Sequence, residues 1–120
     1  MATALRAGHD QVTVDQALGS LLDACSRIHA ISGFIAFAKT VFGEASVNAG
    51  MEERKEELRH MGANGGHMEH HVCRQLMRTF VTLQDKLDEQ ENAAELLKLA
   101  NSVYETGTCE QEIANLRSGM

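Results

Sequence analysis

Not one proline occurs in 120 residues, and the apolar side chains return at steps of three and four. Proline locks φ and removes an amide donor, so a chain without it can run helical over long stretches. A three-four step places side chains along one helix face, whereas a strand needs a step of two. The sequence therefore predicts an all-α fold, a small bundle of three to five helices.

The rest of the composition agrees. Apolar residues make up 43%, enough for one core, while aromatics are 4% and Trp is absent. A core of Leu, Ile, Val, Ala and Met suits packed helices better than a sandwich. The net charge is −6, with 11 Lys and Arg against 17 Asp and Glu. Neutralising phosphates needs a basic surface and single-strand readers need aromatic platforms, so nucleic acid is not an expected partner. The uncharged stretch Ile28 to Ala38 falls far short of the ~20 residues that span a membrane, and the first ten residues hold no apolar signal core. Three cysteines at irregular spacing make no disulfide framework, which fits a reducing, cytoplasmic setting.

Residues 1–12 read as a flexible N-terminal tail and residues 13–120 as a single helical domain. Thr13-Val-Asp-Gln16 has the form of a capping box. Val14, Leu18, Leu21, Cys25, Ile28 and Ile35 then trace a seam, so a first helix is expected from Val14 to about Lys39, bent near Ser32-Gly33. Gly43 to Gly50 reads as a weak link or a helical turn. Met51 to Met61 reads as a charged helix with a thin buried edge, ended by Gly62 to Gly66. A third helix starts near His67, with Cys73, Leu76, Phe80, Leu83 and Leu87 as its seam and Val72 and Met77 broadening it. Asn92-Ala-Ala-Glu95 suggests a break and a fourth helix, against the alternative of one rod from His67 to Glu105. Gly107 closes it, and Thr108-Cys-Glu-Gln111 caps a short last helix. Two long seams carry more apolar edge than one small chain covers, so a homodimer is expected.

The chemistry concentrates around His67. On a helical wheel His67, His71, Arg74 and Arg78 share the side opposite the seam, with His70 at its edge. This cationic stripe lies toward the helix N-terminus, where the dipole disfavours cations by up to about 1 kcal/mol. Asp85, Asp88, Glu89 and Glu91 lie toward the other end. A local rule broken without visible compensation marks a candidate working surface.

Three readings meet this stripe. As a docking face, His67, Met68, His70, His71, Arg74, Met77 and Arg78 would bind another protein with an acidic or mixed apolar and acidic surface. The chain would then be a non-enzymatic regulator that inhibits or sequesters its partner, of the anti-activator, adaptor or chaperone type, with no cofactor. As a metal site, the His60, His67, His70 and His71 cluster would give a sensor or metal-dependent enzyme, with His67 and His71 at i, i+4 needing His60 or a carboxylate as third ligand. As a plain solvated face, the stripe would only balance an acidic surface. No catalytic constellation accompanies it. Cys73 lies one turn from His70 without an orienting third group, and Cys109 reads as the more exposed thiol.

Overall fold

The computed structural model describes residues 2–25, 31–54 and 69–119, and of residues 31, 32 and 69–71 the backbone alone. Among them there are six helices and no strand: α1 (Gln11–Cys25), α2 (Ile31–Phe42), α3 (Glu44–Glu53), α4 (Glu69–Val81), α5 (Gln90–Asn101) and α6 (Thr108–Ser118). The all-helical class is as expected, but the six described helices exceed the expected three to five, because the expected first helix is two, α1 and α2, and the Gly43–Gly50 stretch is helical.

α4 is the central rod, packed against α1, α5 and α6. Its seam residues Cys73, Leu76 and Phe80 are buried, joined by Val72 and Met77 and continued beyond its end by buried Leu83 and Leu87. They meet Leu21, Leu22 and Cys25 of α1 and Phe34, Phe37 and Val41 of α2 in one core. Burial of such side chains contributes about 1.5–3 kcal/mol each. Thr79 is polar yet fully enclosed in this wall. Its hydroxyl donates to the carbonyl of Gln75 (3.1 Å) and lies within reach of that of Ala17 (3.3 Å), which removes the cost of burial and fixes α4 against α1.

Several boundaries differ from the sequence expectation. α2 does not prolong α1 but packs beside it, so the single helix from Val14 to Lys39 is replaced by two. α1 begins at Gln11, and its cap is Asp10, whose carboxylate accepts from the Thr13 amide (3.1 Å) and hydroxyl (2.9 Å). Thr13 thus completes the cap instead of providing it. Of the two readings of Gly43 to Gly50, weak link or helical turn, the helical one matches: it is α3, turned off α2 at Gly43 with φ of 97°. Tertiary packing outweighs the low propensity there, because Val47 is buried and Gly50 lies against Leu22, where a Cβ would collide. Arg54 closes this corner: Nε donates to Asp23 of α1 (2.7 Å) and Nη1 to the Gly50 carbonyl (3.0 Å). The charged helix expected from Met51 to Met61 is seen only through Glu53, its remainder and the Gly62 to Gly66 break lying outside the described residues.

The break after α4 falls earlier than Asn92. α4 runs into a π turn, Thr82–Lys86, closed by the Leu87 amide on the Thr82 carbonyl (3.0 Å). Asp88 then takes φ of 53°, the only non-glycine residue described with positive φ. This reverses the chain and sets Glu89 at the N-cap of α5. Likewise Gly107 (φ 90°), not Thr108, is the N-cap of α6.

Of the expected first-helix seam, Leu21 and Cys25 are buried and Val14, Leu18 and Ile35 are half-buried. Among the described residues the only exposed large apolar side chains are Val12 and Val103. No described helix is long and apolar enough to cross a membrane.

Candidate functional site

α4 carries its core on one side and Arg74 and Arg78 on the other, as a 3.6-residue period requires. Arg78 is exposed and makes no ion pair among the described residues. Arg74 is committed. Its Nε donates to Glu112 of α6 at 2.8 Å, and the Glu112 side chain is 3% exposed. A buried carboxylate left alone is costly, so Arg74 serves the α4–α6 packing before it serves any visitor. Two turns beyond Arg78, in the π turn, Asp85 takes Arg117 of α6 (3.0 Å). Among the described residues Arg78 therefore stands unpaired between two ion pairs that tie α6 to α4 and to the π turn after it.

Met77 does not belong to this face. It is fully buried, because it falls one turn from Cys73 and shares the core side with Leu76 and Phe80. His70 and His71 lie on the first turns of α4, but their side chains are outside the described set. His60, His67 and Met68 lie outside the described residues altogether. Among the described residues no three of His, Cys, Asp and Glu are grouped to hold a metal ion.

Cys73 and Cys109 are both buried, which corrects the expectation that Cys109 is exposed. Cys109, in the first turn of α6, is enclosed where α6 packs against α4. Burial pushes Cys73 up to about 12, and burial likewise raises Cys109. Neither is a nucleophile in this packing.

The most elaborate polar cluster was not legible in the sequence. The segment expected to be a loose tail is held down over the end of α2 and the start of α5. The Leu5 amide donates to the Val41 carbonyl (3.1 Å), and Ala2 and Leu5 pack on the core. Its anchor is Glu89, 7% exposed. One carboxylate oxygen takes Arg6 Nε (3.0 Å) and His9 Nε2 (2.7 Å), and the other accepts from Asn92 Nδ2 (3.1 Å). Asn92 in turn accepts from the Thr3 amide (2.9 Å), so it fastens the segment and does not cap a helix. Arg6 Nη2 also donates to the carbonyls of Leu87 (3.0 Å) and Asp88 (2.8 Å), just past the π turn. Burial alone would raise the Glu89 carboxyl. The hydrogen bonds from His9 and Arg6, with the Arg6 charge, outweigh it and hold the group below the usual carboxylate range. The Glu89 hydrogen bond in turn raises Arg6 above its ordinary value.

No protein family, curated protein or solved structure matches the chain.

Proposed function

We propose that the chain is a non-enzymatic, cytoplasmic regulatory protein that binds and holds another protein through the outer face of α4. The observation that supports this is the exposed Arg78, unpaired among the described residues on a rod whose opposite side is core. An exposed guanidinium on a rigid helix presents five donors in a planar fork, suited to a partner carboxylate. Arg78 is the anchor, His67, Met68, His70 and His71 are the sequence's candidates for continuing the face, and Arg74 contributes the part of its charge not spent on Glu112. The partner has an acidic or mixed apolar and acidic surface, and the assembly expected from the sequence is a homodimer.

Charge reversal tests the face. Arg78→Glu abolishes retention of the native partner in co-purification, while Lys39→Glu, on the exposed side of α2, retains it. Equal recovery with both variants contradicts the proposal. Size-exclusion with light scattering reads the assembly state in the same preparations.

A further inference from the structure

The seat of the segment before α1 carries an inference independent of the docking face on α4. Residues 2–6 have no helix or strand of their own. They are held in the groove between the end of α2 and the start of α5 by contacts that are all remote in sequence. The Thr3 amide donates to Asn92 (2.9 Å), the Leu5 amide to the Val41 carbonyl (3.1 Å), and Arg6 Nε to Glu89 (3.0 Å). The groove therefore recognises this segment by its chemistry, and the same segment on another molecule presents identical groups.

The link back to α1 is a turn at Ala7 and Gly8. Gly8 holds φ of 96°, which glycine adopts at little cost, and nothing lies within 4 Å of where a Cβ would sit. The turn thus stands clear of the body and is free to straighten. The clasp it serves is open to water along one side, in a cleft lined by Thr3, Ala4, Arg6, Asp88 and Glu91, and the Arg6 side chain is 61% exposed. Just past the turn, Val12 is one of the two exposed large apolar side chains among the described residues. We propose that the α2–α5 groove is a docking site for a second copy of this chain, each copy laying its residues 2–6 in the groove of the other.

Exchange of this kind costs little, because the closed chain and the exchanged pair make the same groove contacts. Three terms then set the balance: the strain of the turn, the new contact beside the hinge around Val12, and the concentration of chains against the effective concentration of the tethered segment. His9 lies on the α1 side of the turn and stays with its own Glu89 (2.7 Å). In the exchanged pair one buried carboxylate therefore takes His9 from its own chain and Arg6 from the other. This supplies the homodimer expected from the sequence with a contact that the apolar seams did not indicate.

Charge exchange between two full-length chains tests this. Arg6→Glu and Glu89→Arg each set like charges against one another when the segment sits on its own chain. Mixed in equal parts, an exchanged pair sets the introduced carboxylate against the introduced guanidinium in one groove and keeps the original Arg6–Glu89 pair in the other. Native mass spectrometry and light scattering should show each variant alone as a monomer and the mixture as a one-to-one pair. Gly8→Ala keeps the clasp and strains only the turn, so its result stands even where Glu89→Arg does not fold. Straightening relieves that strain in both chains, and the dimerisation constant should rise on the order of 30-fold over wild type. A mixture that stays monomeric while both variants are folded, self-pairing of either variant as readily as the mixture, or a dimerisation constant unmoved by Gly8→Ala overturns the proposal.

Discussion

Replacing Glu89 with alanine removes the one group on which the N-terminal segment converges. Four contacts go: those of Arg6 N, Arg6 Nε, His9 Nε2 and Asn92 Nδ2. Arg6 keeps two carbonyl acceptors and is largely exposed, so its loss is cushioned by water. Asn92 is not cushioned. It is 1% exposed, and an unsatisfied buried donor costs about 1–3 kcal/mol. The lost anion at the start of α5 adds about 0.3–1 kcal/mol. Together Glu89→Ala should destabilise by about 2–3 kcal/mol, or about 6–12 °C in unfolding midpoint. Thermal denaturation followed by circular dichroism measures it, and hydrogen exchange at the Leu5 amide shows whether the segment is released. The pH dependence carries its own sign. Because the folded Glu89 carboxyl is held below its unfolded value, its contribution is complete above about pH 4.3 and fades as pH falls through the lower folded value. The gap between wild type and Glu89→Gln should therefore close in acid. A loss under about 0.5 kcal/mol with the Leu5 amide still protected would refute the anchor.

Three further outcomes follow from the backbone. Gly50→Ala should destabilise by about 1 kcal/mol, since crowding the enclosed Leu22 exceeds the gain in helix propensity; urea denaturation reads this. Gly19→Ala on the facing helix meets Arg54 Nη2 at an ordinary 3.6 Å and should instead gain about 0.5–1 kcal/mol. Asp88→Gly should exceed Asp88→Ala by about 1 kcal/mol, because φ of 53° strains any side chain there and Ala lacks the local hydrogen bonding that Asp offers.

The core register of α4 was readable because each seam residue from Cys73 to Leu87 is buried on one side by period alone. The same arithmetic should have excluded Met77 from the outer face, since it follows Cys73 by one turn. What pattern could not supply was long-range pairing. Arg6 and Glu89 are separated by 83 residues, and neither sits in a motif that names the other. Nothing in Ser26 to Ala30 signals a stop, so the separation of α1 from α2 was hidden behind continuous apolar spacing. The π turn at Thr82–Lys86 and the reversal at Asp88 were equally invisible, because no glycine marks them.

The proposal that α4 is a docking helix is most directly tested at Arg78. Affinity purification from native cells with wild type, Arg78→Glu and Lys39→Glu compares three chains whose stabilities should agree within about 0.5 kcal/mol, both altered side chains being exposed. A protein retained by wild type and Lys39→Glu, lost with Arg78→Glu and released by moderate salt is the expected result. The same set of proteins on all three chains contradicts it.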